Sequence, residues 1–322
     1  MRALKGLMIA ALALCATPAI AQTVWDMPTG YAPSNFHTLN DMEFAKRVGE
    51  ATGGKLTINV HPGASLYKAP EIKRAVQTGQ AQIGEVLMVL LSNENPMYEI
   101  DGMPFLATSY EQAKKLSDLQ RPYIEKILAD QGVMLLFSVP WPPQGLFSKN
   151  AINSIADMKG EAHRAYSKQT SRLAELAGAR PTVIQAAEVT QALATGKITS
   201  LITSAQSGVD YKVWESLGYY YDMRGWMPKN MIVVNKAAFD ALDADTRKIV
   251  LAEAARAEEA GWASSRRVTD ETTKALADNG LKVEVPSAQL DKDLRAIGKQ
   301  MLDEWLAGAD DDVRAVVAAF QK

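Results

Sequence analysis

Two kinds of hydrophobic spacing alternate along this chain. Short runs with the two-residue period of a strand, such as "TVWDM" near Val24–Met27, "KLTINV" at 55–60 and "EAHRAY" at 161–166, are separated by helical segments. The helical ones, such as "FAKRVGEA" and "SRLAELAGA", carry apolar residues three and four apart. The alternation also repeats. "EIKRAVQTGQAQIG" (71–84) aligns without gaps on "EVTQALATGKITSL" (188–201), with Glu71 on Glu188, Ala75 on Ala192 and Thr78-Gly79 on Thr195-Gly196. Upstream of each lies a second shared phrase, "FAKRVGEATGGKLTINV" (44–60) and "TSRLAELAGARPTVI" (170–184), in which Gly53 and Gly178 fall where a helix ends.

Each copy therefore predicts β-α-β-α-β, with first strands near Val24–Met27 and Ala162–Tyr166. Two such copies predict two α/β lobes with mostly parallel sheets, facing each other at the carboxyl ends of their strands, where open α/β sheets bind ligands. The rest fits around them. A turn-rich loop at 96–110 precedes a helix from Glu111 to Asp130, and a strand stops at Pro140. "NMIVVNKAAF" (230–239) is a buried strand leading into a helix. An Ala-, Glu- and Arg-rich stretch from Asp245 to Asp278 has no proline and predicts a long helix, or two in series, with Gly261 and Ser264-Ser265 as candidate bends. "KDLRAIGKQMLDEWLAGA" predicts a further amphipathic helix.

The first residues predict export. Arg2 and Lys5 precede an apolar run from Leu7 to Ala16, and Ala19-Ile20-Ala21 has the small-x-small form of a cleavage site before Gln22. Ten apolar residues are too few to span a bilayer. Cys15, the single cysteine, lies inside this leader, and Leu14 before it does not suit a lipid anchor. Cleavage would leave no thiol, no disulfide and no cysteine-based metal site. The formal net charge of −2 would become −4 on loss of Arg2 and Lys5, which does not suggest nucleic acid or anionic membrane as a partner.

Catalytic signatures are absent from the sequence. The three histidines, His37, His61 and His163, have no metal-ligand spacing, and there is no nucleophile elbow and no phosphate-binding loop. No cofactor, no metal and no enzymatic activity are expected. Trp141 and Trp226 stand beside prolines, in "VPWPPQG" and "RGWMPKN", rather than in a periodic core stripe. They bracket the second lobe near its crossings and could wall a small-molecule cleft.

The phrases "GGKLTINVHPGASL", "GQAQIGEVLMVLL", "MPFLA", "DMKGEAHRAYS" and "NMIVVNKAAF" resemble the solute-binding proteins of tripartite ATP-independent periplasmic (TRAP) transporters, DctP type, over essentially all of residues 22–322. The resemblance implies a two-lobed, periplasmic-binding-protein-like α/β fold with a hinge, a cleft and a long helix spanning both lobes. It implies lobe I at 22–139 and 229–260, lobe II at 140–228, and a long-helix continuation with the C-terminal part of lobe II at 261–322. A periplasmic, monomeric receptor that captures an organic acid and delivers it to a small and a large membrane subunit follows from the same likeness.

In that family the arginine of "D-M-K-G-x-x-x-R", here Arg164, binds the carboxylate of the ligand. A fixed guanidinium fork suits a carboxylate. The alternative for Arg164 is an internal ion pair with Glu161 or Glu85. Two positions depart from the family pattern: Gln144 stands where a second arginine is frequent, and Thr203 replaces a ligand-binding asparagine. One cation, neutral donors at Gln144 and Thr203, and packing by Trp141 and Trp226 point to a monocarboxylate with an apolar or aromatic body. Glu85 is a further candidate, as partner of a ligand hydroxyl or of Arg164. An exported α/β hydrolase and a receptor of an ATP-driven importer are the alternative functions.

Overall fold

The computed structural model describes residues 22–322; the expected leader, residues 1–21 with Cys15, lies outside them. The first copy of the repeat folds as β1 (Thr23–Pro28), α1 (Phe36–Ala51), β2 (Leu56–His61), α2 (Ile72–Gln77) and β3 (Ile83–Leu87). A 3-10 segment at Pro96–Gly102 then leads to α3 (Tyr110–Ala129), β4 (Val133–Pro140) and β5 (Gln144–Ser148). The second copy follows as β6 (Ala162–Ala165), α4 (Lys168–Leu176), β7 (Arg180–Val183), α5 (Val189–Ala194) and β8 (Ser200–Ser204). After it come α6 (Ala205–Asp210), β9 (Tyr219–Tyr221), β10 (Lys229–Asn235), α7 (Lys236–Asp240), α8 (Ala244–Asp278), β11 (Lys282–Glu284), α9 (Ala288–Gly308) and α10 (Asp311–Phe320).

The repeated phrases have one structural meaning. Thr78 and Thr195 end α2 and α5 in the same way, each Oγ1 donating back to the carbonyl four residues earlier at 2.9 Å. Gly79 and Gly196 then turn the chain at φ +75° and +68°, which a residue with a Cβ resists. Ala75 and Ala192 are both buried, so the identities mark a cap and a packing position.

The sheets are less parallel than the alternation predicted. β1 pairs with β2, β6 with β7 and β8, and β11 with β9 in parallel. β10 runs antiparallel to both β3 and β4, and β5 antiparallel to both β8 and β9. The exceptions are the crossing strands. The chain leaves one lobe through β4, enters the other through β5 and returns by way of β9 and β10, so these strands insert from the opposite end.

The crossings lie side by side. Trp141 N–H donates to Pro228 O at 2.8 Å, Gln144 N–H to Trp226 O at 2.9 Å, and Gly225 N–H to Gln144 O at 2.9 Å. α8 runs behind both lobes, with Val250, Ala254 and Ala257 in the core of β1, β2 and β4, and Leu276 in that of β5 and β8. Its 35 residues span about 52 Å. Gly261 is not a bend. A Cβ there would come within 2.4 Å of Val139, so the glycine lets the helix lie directly on β4. Ser265 is likewise inside an unbroken helix, 2.8 Å from the Tyr110 hydroxyl.

The chain's end departs from the expected placement with the second lobe. α9 packs on α4, where Arg172 meets Glu304 at 3.0 Å, but α10 carries Val313 and Val316 onto Leu116, Ile124 and Leu128 of α3. Its apolar face thus completes the first lobe. Among the described residues no helix is long and apolar enough to cross a membrane.

Candidate functional site

The carboxyl ends of the repeated strands converge on one cavity. Tyr31 lies just after β1, Leu87 ends β3, Tyr166 follows β6, Gln185 and Ala186 follow β7, and Thr203 and Ser207 flank the end of β8. Trp141, Gln144 and Pro228 contribute the crossing strands as a back wall, and Tyr211 closes one side. The cavity encloses about 440 Å³, part of it open to solvent. Ala69 and Ala186, which also line it, occupy equivalent places in the two copies, each two residues before the matched glutamate.

Arg164 reaches this cavity from β6, only 3% exposed. Its Nε donates to the Ile184 carbonyl at 2.8 Å, and its guanidinium lies 5.1 Å from the centre of the Tyr166 ring. It forms no ion pair among the described residues. Glu161, one internal partner considered, accepts the Thr199 hydroxyl instead. A buried guanidinium without a carboxylate is costly, and an anion in the cavity would offset that cost.

Neutral donors surround the cation. Burial pushes the hydroxyls of Tyr31, Tyr166 and Tyr211 above the ordinary tyrosine range, and the Arg164 charge opposes the rise in each. They remain protonated at neutral pH. Tyr166 OH donates to Gln144 Oε1 at 3.3 Å, and Gln144 Nε2 donates to Pro142 O at 3.2 Å. Gln144 is thus already held within the protein, with one amide hydrogen left to give. The Trp141 indole donates to Asn230 Oδ1 at 2.9 Å, with the Tyr31 ring edge-on to it at 4.9 Å.

Arg164, Gln144, Trp141 and Thr203 come together as predicted wall residues; Trp226 and Glu85 do not. Trp226 is 1% exposed and donates from Nε1 to the Tyr166 hydroxyl at 3.1 Å, so it stands behind Tyr166. Its ring is drawn away by the core of Met103, Leu146 and Met223. Glu85 lies two residues before Leu87 on the same face of β3, about 6.8 Å back along the strand, and does not line the cavity. It binds Thr29 and Asn230 there, and pairs with no arginine among the described residues. Sequence reasoning missed Tyr31, Tyr211 and Ser207. Tyr31 follows the end of β1, a position that the strand-end rule marks; Ser207 and Tyr211 belong to α6 and the residue after it, which that rule does not reach.

Fold and cleft together define a class, the α/β binding proteins with two lobes and a site at their facing strand ends. Arg164 at the end of β6 narrows it. The chain belongs to the DctP family, the bacterial extracellular solute-binding proteins of family 7, whose model matches residues 31–308. DctP6 of Bordetella pertussis, an extracytoplasmic solute receptor binding pyroglutamic acid, is 49% identical, covers 93% of this chain and 99% of its own, and superposes with a TM-score of 0.91. A marine metagenome TRAP solute-binding protein specific for pyroglutamate is 41% identical, with coverage of 93% and 99% and a TM-score of 0.91. A solute-binding protein of Albidiferax ferrireducens is 24% identical over 247 residues, 74% of this chain and 72% of that one.

Proposed function

We propose that this receptor captures a compact monocarboxylate, with pyroglutamate as the first candidate, and passes it unchanged to the membrane subunits of a TRAP transporter. The observation that carries this reading is Arg164, a buried guanidinium in a cavity otherwise lined by neutral polar and apolar side chains. Nε is anchored to Ile184, which leaves the Nη pair for both oxygens of one carboxylate. Gln144, at the position of a frequent second arginine, suits a neutral polar group in place of a second acid. The 49% identical receptor that binds pyroglutamic acid supports the same choice.

Pyroglutamate has one carboxylate and one lactam. The lactam carbonyl matches the hydroxyl and amide donors of Tyr211 and Gln144, and its N–H matches the oxygens of Thr203 or Ser207. Leu87, Trp141 and Pro228 would cover the ring methylenes. With Trp226 behind Tyr166, a small polar ring fits this wall better than the aromatic body that two tryptophans would favour.

The working division is a first lobe of residues 22–139 and 229–260 and a second of 140–228, with α9 on the second and α10 on the first. Closure about the paired crossings would be driven by ligand contacts from both lobes. Export with cleavage after Ala21, a periplasmic location and a monomeric state complete the reading; N-terminal sequencing of the mature protein checks the first. A thermal-shift screen of organic acids tests the cargo, since a ligand raises apparent stability by mass action. Pyroglutamate should rank high and dicarboxylates low. Turnover of esters or glycosides would instead favour the exported hydrolase.

A further inference from the structure

Beneath the cavity lies a group of buried polar side chains that anion binding at Arg164 does not use. Glu85 is at its centre. Its Oε1 accepts from Asn230 Nδ2 at 2.7 Å and lies 3.4 Å from His37 Nδ1, while Oε2 accepts the Thr29 hydroxyl. Asp41, one helical turn beyond His37 on α1, is a second buried carboxyl group, pushed up by burial and then by the charge of Glu85. Glu85, Asp41 and His37 are each 2% exposed or less.

Two like charges buried this deeply disfavour one another, so the two carboxyl groups do not both ionise. The elements around the pair supply no compensating cation. α1 contributes His37, whose imidazole burial keeps neutral; the end of β1 contributes Thr29 and Tyr31; β10 contributes Asn230. The charged group across the cavity is Arg164, and Tyr31 feels both Glu85 and Arg164.

Asn230 connects this pair to the ligand wall. Its Nδ2 is given to Glu85, which turns Oδ1 toward the indole of Trp141 at 2.9 Å and the hydroxyl of Tyr31 at 3.4 Å. A flipped amide would set its NH2 against the Trp141 N–H, donor against donor. Glu85 must therefore present an acceptor to Asn230. It can still take a proton on Oε2, because the Thr29 hydroxyl can reverse from donor to acceptor.

We propose that Glu85 is a positioning residue that fixes Trp141 and Tyr31 through Asn230 and takes up a proton when an organic anion binds at Arg164. The coupling has two sources. The ligand carboxylate neutralises the cation across the cavity, and closure removes the remaining water; both favour the protonated pair. Burial has already pushed the Glu85 carboxyl up to about 7, so uptake falls in the neutral range. The proposal rests on the organic-anion reading of the cavity.

The test is titration calorimetry of the mature protein with pyroglutamate at pH 6, 7 and 8, in buffers of different ionisation enthalpy. Near pH 7 the count of protons taken up should be up to about one half, because a group with that pKa is already half protonated. A ligand-induced rise of one unit would make affinity about 5-fold weaker at pH 8 than at pH 6. Glu85→Gln mimics the protonated form, so it should bind as the parent does at pH 6, without the slope or the uptake. Binding by the parent without proton uptake, or a pH slope retained in Glu85→Gln, overturns the proposal. Infrared spectroscopy of the ligand-free protein adds an independent readout: a protonated-carboxyl band should be strong at pH 6, weaker at pH 8 and reduced in Glu85→Gln. If pyroglutamate does not bind, the cargo reading fails on its own, and the absence of this band at pH 6 separately overturns the proposal.

Discussion

Asn35 Nδ2 donates to Asp210 Oδ2 at 2.7 Å, joining the residue that caps α1 in the first lobe to the last residue of α6 in the second. The same Asn35 accepts the His37 N–H, and Asp210 also accepts from Gln206, so both ends of the contact are held in place. The bond joins the two lobes, and in the hinge-closure reading it would be made only when the cleft is shut. Asp210→Ala should weaken ligand binding by about 1–2 kcal/mol, roughly 5- to 30-fold, mainly through faster release. Stopped-flow dissociation beside a melting curve of the ligand-free protein checks this. Unchanged release with a lowered melting temperature would make the contact a structural one.

Acid should destabilise the second lobe through His163. The side chain lies on the face of β6 opposite Arg164, with Nδ1 2.9 Å from Ser200 Oγ. Burial, and then the Arg164 charge, push it down to about 3, whereas the unfolded chain protonates it near 6.5. A depressed folded value means that its contribution is complete above about pH 6.5 and is lost as the pH falls toward 3. At pH 5 the loss is about 2 kcal/mol. Urea midpoints at pH 7 and pH 5 measure it, and His163→Gln should remove this part of the slope; an identical slope in the variant would contradict the assignment.

The repeat made most of the fold legible. Thr-Gly caps, buried alanines and strand runs recur because both copies solve the same packing problem, and the long helix announced itself by composition. The cation at Arg164 was legible because a fixed charge between Ala162 and Tyr166 in a strand needs a partner. Depth was not. Periodicity places Glu85 and Leu87 on one face but cannot say that the cavity floor falls between them. It also could not tell that Trp226 would turn into the core of Met103 and Met223 rather than into the cleft. The antiparallel crossing strands depend on the order in which the chain changes lobes, which local patterns do not record.

The two tryptophans should therefore separate on substitution. Trp226→Phe removes the N–H that Tyr166 accepts and should cost about 1 kcal/mol of stability, with affinity changed by less than about 3-fold. Trp141→Phe removes a wall residue and its bond to Asn230, and should weaken binding by about 10-fold while abolishing most of the ligand-induced change in tryptophan fluorescence. The reverse ranking in a fluorescence titration would mean that the ligand sits against Trp226.

The most direct test is titration calorimetry of pyroglutamate into the parent protein, Arg164→Ala and Arg164→Lys, with circular dichroism to confirm the fold. Arg164 has its Nε on the Ile184 carbonyl and no carboxylate partner among the described residues, so its loss should leave the fold in place. Binding should weaken by about 2–5 kcal/mol, roughly 30-fold to several thousand-fold. Arg164→Lys should restore only part, because a point charge cannot hold both oxygens at once. Parental affinity in a folded Arg164→Ala protein would contradict the account and place the carboxylate elsewhere.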